Sequence, residues 1–268
     1  NELSAFIDFN RSLVGYWRFE DDGDSNASDF TSNNNNGTLT NFGCTTLNCN
    51  LTGGSGWTSA GKRGKGLMFD GVNDYVIVKN SSSITPIDYM SAELWFKPTG
   101  TSSSRLLMKA NTDIKNCLDA LRFRGYEIYT DFDTGDLGVS VGAVADPSWS
   151  PCGNRQFDVY VSPAGITPNS WNYVAFTFGN SSSGGTELKA YLNGNLIGND
   201  TAPELWDIHP SFLDLYIGNS TFFGDLVYFK GTFDEIKIWN RALSAQEINA
   251  SYRAGAYRLF RNFTGLSE

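Results

Sequence analysis

Phe229-Lys-Gly-Thr-Phe-Asp-Glu-Ile-Lys-Ile-Trp-Asn-Arg-Ala-Leu-Ser-Ala-Gln-Glu-Ile-Asn-Ala-Ser-Tyr-Arg-Ala-Gly255 is the stretch from which the fold can be read. Its first half is a strand. Side chains alternate along a strand, so Asp234, Ile236 and Ile238 are expected on one face and Phe233, Glu235, Lys237 and Trp239 on the other. A carboxylate in line with two core isoleucines needs a partner, because burying a bare charge is costly. A metal ion or a set of backbone donors would supply one. The second half is a short helix, announced by the capping box Ser244-Ala-Gln-Glu247 and stopped by Gly255.

Outward from this stretch the same grammar repeats. Short alternating runs separated by Gly, Asn and Ser read as strands at 67–78, 92–97, 106–109, 118–123, 126–130, 137–141, 157–161, 172–178, 188–192 and 215–218. Asn193-Gly194 is a hairpin turn. There is no internal repeat and no second domain. The chain has 268 residues, of which 14% are aromatic, enough for one large all-β core. A net charge of −9 argues against nucleic acid or an anionic membrane as partner. No apolar run is long enough to span a bilayer. The sequence opens at Asn1 without Met or a signal peptide, which reads as a processed product or a piece of something longer.

Several segments then fall into a known order. They are Gly15-Tyr-Trp-Arg-Phe-Glu20, Asp29-Phe-Thr-Ser-Asn-Asn-Asn-Asn-Gly-Thr-Leu39, Gly64-Lys-Gly-Leu-Met-Phe-Asp-Gly-Val-Asn-Asp-Tyr-Val76, Ser91-Ala-Glu-Leu-Trp-Phe-Lys-Pro98, Trp171-Asn-Tyr-Val-Ala-Phe176, Tyr191-Leu-Asn-Gly194 and Leu215-Tyr-Ile-Gly-Asn219. With the closing stretch, this series resembles the laminin G-like domains of the concanavalin A-like lectin/glucanase superfamily. The resemblance covers residues 13–255. It implies an all-β fold, a two-sheet antiparallel jelly-roll sandwich with one short C-terminal helix. Residues 1–12 stand outside as an N-terminal strand or tail, and residues 256–268 as a C-terminal tail or the start of a following module. The resemblance also implies a structural calcium where the opening strand, the Asn/Gly loop and the closing strand meet. Carried over, its ligands are Glu20, Asp29, Asn33, Asn35 and Asp234, oxygen donors of the kind calcium takes. Ser32 and Asn34 stand where the family has glycine.

Four cysteines allow three pairings. Cys44 and Cys49 close a tight loop and are expected to pair with each other, and Cys117 with Cys152. The chain-entropy estimate is about 2 kcal/mol for the short loop and about 4 kcal/mol for the long one. The acceptor pattern for Asn-linked glycans occurs at Asn10, Asn26, Asn36, Asn50, Asn80, Asn180, Asn199, Asn219, Asn249 and Asn262. Asn and Ser also crowd into β-turns for their own reasons. Disulfides and acceptor sites both point to an extracellular or cell-surface location.

Little in the sequence speaks for catalysis. His209 is the lone histidine. There is no Gly-x-Ser-x-Gly nucleophile elbow. Paired acids of the Glu-x-Asp-x-x-Glu kind, which would place two carboxylates in one cleft, are absent. Trp149, Trp206, Tyr129 and Phe222-Phe223 are the aromatics available as a sugar platform, or as caps on the sandwich. The expected function is therefore a secreted, heavily N-glycosylated, non-catalytic surface protein with a structural or adhesive role. It would be partnered by copies of itself or by cell-surface glycans and proteins. As a filament subunit it would donate alternating terminal residues, Leu3, Ile7 and Phe9 at one end and Leu259 and Phe263 at the other, to a neighbour's sheet edge. The alternatives are a calcium-dependent carbohydrate-binding module and, third, a glycoside-acting enzyme.

Overall fold

The computed structural model describes residues 12–21, 25–43, 54–100, 103–113, 122–131, 134–144, 154–220 and 227–256. The strands are β1 (Leu13–Trp17), β2 (Asn26–Ala27), β3 (Gly37–Thr40), β4 (Gly56–Thr58), β5 (Gly66–Asp70), β6 (Tyr75–Val78), β7 (Met90–Pro98), β8 (Ser104–Asp113), β9 (Arg122–Asp131) and β10 (Asp136–Val144). They continue as β11 (Asn154–Val161), β12 (Asn172–Asn180), β13 (Thr186–Leu192), β14 (Asn195–Ala202), β15 (Asp207–Ile208), β16 (Leu215–Ile217), β17 (Asn219–Ser220), β18 (Val227–Tyr228) and β19 (Lys230–Trp239). A single described helix, α1 (Ala245–Ala256), follows, and it is too short to cross a membrane.

Two antiparallel sheets stack as a jelly-roll sandwich. The first runs β14-β13-β12-β7-β19-β5-β4, with β1 also paired to β19. The second runs β11-β10-β9-β8-β16-β6-β3-β2, with β15 on β10. Alternation sends Leu137, Val139 and Val141 of β10 and Phe157 and Val159 of β11 inward. There they meet the first sheet, as where Phe157 packs edge-on against Phe178 with ring centroids 5.3 Å apart. Burying each such side chain is worth about 1.5–3 kcal/mol. A smaller cluster lies on the far side of the first sheet, where α1 covers Trp95, Tyr173, Tyr191 and Trp239.

The decisive strand departs from simple alternation. Asp234 pairs with Trp95, but the next pairing is Lys237 with Glu93, so β19 carries a bulge. Glu235 sits there with φ of 54°. The extra residue changes the parity. Phe233, Ile236 and Ile238 all face the main core. Asp234 therefore does not share the face of Ile236 and Ile238. It lies on the side of its cross-strand partner Trp95.

The capping box forms, with Glu247 N–H donating to Ser244 Oγ (3.2 Å) and Ser244 N–H to Glu247 Oε2 (2.8 Å). Gly255 lies inside the last helical turn rather than ending it, and a Cβ there would stand 2.6 Å from the Trp95 indole nitrogen. Asn193 and Gly194 both take positive φ, as a type I′ hairpin requires. The expected strand at 67–78 is two strands, because Asp70 Oδ1 accepts the Val72 N–H (2.7 Å) and folds a turn at Gly71. Cys44, Cys49, Cys117, Cys152, the tail residues Leu3, Ile7, Phe9, Leu259 and Phe263, and the acceptors Asn10, Asn50 and Asn262 lie outside the described residues.

Candidate functional site

The five expected calcium ligands divide into two hydrogen-bond networks. Asp29 locks its own loop. Its Oδ1 accepts the N–H groups of Tyr16 and Thr31, each at 2.9 Å, and its Oδ2 accepts Asn35 N–H (2.9 Å) and the Thr31 hydroxyl (2.8 Å). Asn33 and Asn35 both donate their amides to Val14 O, and Asn35 Oδ1 accepts the Ser81 and Ser83 hydroxyls. These bonds tie Asp29, Asn33 and Asn35 to their own loop and to Val14 O, in a network separate from that of Asp234.

Glu20 and Asp234 behave differently. Both face the 61–65 loop. Asp234 Oδ2 accepts Arg63 N–H (2.7 Å), and the Glu20 carboxylate accepts Lys65 N–H (3.3 Å). Gly64 lies between them with φ of 60°, and a Cβ there would stand 2.4 Å from Glu20 Oε1. Asp234 is fully buried and, among the described residues, its Oδ1 has no hydrogen-bond partner. Burial pushes its carboxyl up to about 8, with the charges of Glu235 and Glu20 adding to the rise. An orphaned buried carboxylate oxygen beside a second carboxylate is donor chemistry that a divalent cation takes, but among the described residues no third acidic, His or Cys side chain joins them.

A second constellation lies on the outer face of the second sheet. Because the inward residues of β9, β10 and β11 are in the core, Glu127 and Tyr129, Gly138 and Ser140, and Asp158 and Tyr160 point outward. Register sets them in two rows. Arg105, Tyr129, Gly138 and Tyr160 are successive cross-strand partners, as are Glu127, Ser140 and Asp158. The backbones of Tyr129 and Tyr160 thus stand two strand spacings apart, about 10 Å. The Tyr129 ring fills the notch at Gly138, where a Cβ would meet its Cζ at 2.0 Å. The Arg105 guanidinium lies 4.6 Å over that ring and donates from Nε to Glu127 Oε2 (2.7 Å). Tyr160 is 57% exposed, and its hydroxyl donates to the Asp136 carboxylate. Asp158 is exposed and accepts the Gln156 amide (2.9 Å). Hydrogen bonds from Ser162, Thr134 and Tyr160 hold the Asp136 carboxyl below its usual range, so it is ionised. Burial pushes Glu127 up, against the pull of Arg105.

Of the aromatics read from sequence as a platform, only Tyr129 takes this position among the described residues. Trp206 packs against the core and lies edge-on to Phe157 at 6.5 Å, a cap rather than a platform. Trp149, Phe222 and Phe223 lie outside the described residues. Arg105, Gly138, Asp158 and Tyr160 escaped the sequence reading, since only strand register brings them together.

The sequence model described as the concanavalin A-like lectin/glucanases superfamily, laminin G type, matches residues 70–249. The chain belongs to the concanavalin A-like superfamily. No curated protein matches its sequence. Among solved structures it is similar to the binding domain of Paraclostridial Mosquitocidal Protein 1, at 18% identity and TM-score 0.58, covering 90% of this chain and 52% of that one. It is also similar to domain 4 of AbnA, an extracellular arabinanase from Geobacillus stearothermophilus in complex with arabinotriose, at 19% identity and TM-score 0.54, covering 89% and 97%. A third is the ligand-binding domain of botulinum neurotoxin serotype D in complex with N-acetylneuraminic acid, at 14% identity and TM-score 0.55, covering 91% and 51%. The chain spans about half the length of the two toxin structures. At these identities the likeness is one of fold.

This concanavalin A-like sandwich also has a recess of about 210 Å³ beside α1, lined by Tyr16, Arg63, Trp95, Glu235 and Lys237 among others. Two carboxylates approach it, but the chain already uses them. Glu93 accepts from Lys237 Nζ (2.8 Å) and the Ser251 (2.5 Å) and Tyr173 (2.6 Å) hydroxyls, and Glu235 from the Tyr16 hydroxyl (2.7 Å). His209 serves through its backbone, accepting Gly125 N–H and donating to Gly142 O. Of the glycan acceptors, Asn26, Asn36, Asn80, Asn180 and Asn199 are exposed and Asn249 is half-buried. Asn219 is only 1% exposed among the described residues.

Proposed function

We propose that the chain is a non-catalytic, adhesive carbohydrate-binding module that works outside the cell. The observation that carries this reading is the outward row Arg105–Tyr129–Gly138–Tyr160, backed by Asp158 and Gln156. An exposed tyrosine ring offers an apolar surface with a polar edge, suited to the C–H face of a sugar. The adjacent carboxylates and amide accept and donate to its hydroxyls, and charge-assisted bonds of this kind are the stronger ones. Glu127 and Asp136 are committed to Arg105 and Tyr160, which supports binding over acid–base chemistry. The exposed acceptor asparagines support a glycosylated, secreted chain. In this reading a structural calcium is held by Glu20 and Asp234. It would neutralise both carboxylates and tie β19 to the 61–65 loop.

A glycan array tests the reading. The wild-type chain should bind a defined subset of glycans, and Tyr160→Ala should lose them. Absence of any specific binding would favour the competing reading, a structural subunit joined through residues 1–12 and 256–268.

A further inference from the structure

We propose that the outer face of the second sheet selects neutral glycans and rejects those ending in sialic or uronic acids. This rests on the reading of that face as a sugar site. The fold alone does not decide the matter, since similar sandwiches occur in complex with arabinotriose and with N-acetylneuraminic acid. The charges on the face do.

Three carboxylates, Glu127, Asp136 and Asp158, stand on adjacent strands around the tyrosine rows. Among the described outward residues of those rows, Arg105 is the single cation, and its guanidinium is committed to Glu127 and to the Tyr129 ring. The neighbouring cation, Arg155, is paired with Asp200 at 2.7 Å. An acidic sugar approaching Tyr160 therefore meets exposed Asp158, and among the described residues of those rows no uncommitted cation receives its carboxylate. Such like-charge juxtaposition discriminates strongly between ligands. A neutral sugar brings hydroxyl donors to the same acceptors and incurs no such repulsion.

The test is titration calorimetry with matched pairs of oligosaccharides, identical except for a terminal sialic or glucuronic acid. The pairs are run on the wild-type chain and on Asp158→Lys, with thermal unfolding of the variant verifying that it is folded. Wild type should bind the neutral member and bind its acidic twin at least about tenfold more weakly. Asp158→Lys should narrow or reverse that gap. Equal or tighter binding of the acidic twin by wild type would overturn the selectivity while leaving a sugar site in place. Binding of neither member would overturn the sugar-site reading along with it.

Discussion

The ring of Tyr129 lies where a side chain on Gly138 would stand, with Cζ 2.0 Å from the ideal Cβ position. Glycine in a strand interior is a weakness, since it loses more chain entropy than alanine and packs nothing. Here it gives the ring a bed between β9 and β11. Gly138→Ala should leave thermal stability within about 1 kcal/mol of wild type, because the gain in strand propensity offsets the displaced ring. Glycan affinity should fall about tenfold or more, read by titration calorimetry. Unchanged affinity would show that Tyr129 has no part in the site.

Asp234 should make stability depend on pH in a cation-free buffer. Its carboxyl ionises near 3.8 in an unfolded chain and only near 8 in the fold. Between those values the folded state holds a proton that the unfolded state has lost. Stability should therefore fall as pH rises from about 4 to about 8. Calcium should remove this slope at neutral pH and raise the melting temperature, since a ligand bound only by the folded state stabilises it. Melting curves at pH 5 and pH 7.5, with calcium and with chelator, check both. A curve indifferent to calcium at pH 7.5 would leave Asp234 held by Arg63 N–H alone, and Asp234→Asn would then stabilise the chain.

Lys109 is fully buried, yet among the described residues its ammonium has no carboxylate in contact. Asn80 Oδ1 (2.6 Å), Ser211 O (3.1 Å) and Leu213 O (2.5 Å) accept its three protons. It ties the end of β6 to the connection before β16. Lys109→Met keeps the stem and strands three acceptors, at a cost of about 3 kcal/mol. Denaturant unfolding should report that loss, and a change below about 1 kcal/mol would mean that water replaces the ammonium.

Glycan occupancy should follow exposure. Asn26, Asn36, Asn80, Asn180 and Asn199 should carry glycan in material from the native source, and Asn219, 1% exposed, should not. Peptide mapping after enzymatic deglycosylation marks each used asparagine. Occupancy at Asn219 would require the strand around it to open.

Much of the architecture was legible in the sequence, because period-two alternation and turn residues act locally. Ser244 and Glu247 gave the helix start, and Asn193-Gly194 gave a hairpin. The face of Asp234 is not the one strict alternation assigns: the bulge at Glu235 puts Phe233 and Ile236, three residues apart, on one face, and pairing with β7 decides where that break in period falls. The expected calcium ligands fall into two separate hydrogen-bond networks, a division that their positions in the sequence do not show. Glu20 and Asp234 converge on the 61–65 loop, while Asp29 turned out to satisfy its own loop through backbone donors. The proposed sugar face was nearly invisible, because Tyr129, Gly138 and Tyr160 come from three strands and only register makes them neighbours.

The most direct measurement of the binding claim is nuclear magnetic resonance on chain labelled in its tyrosine rings, titrated with a neutral oligosaccharide selected on the array. Binding on the second sheet predicts that Tyr160 and Tyr129 shift together and saturate with one affinity, while Tyr16 and Tyr173, beneath the α1 side of the first sheet, stay still. Shifts confined to Tyr16 and Tyr173, or none at saturating ligand, would contradict it.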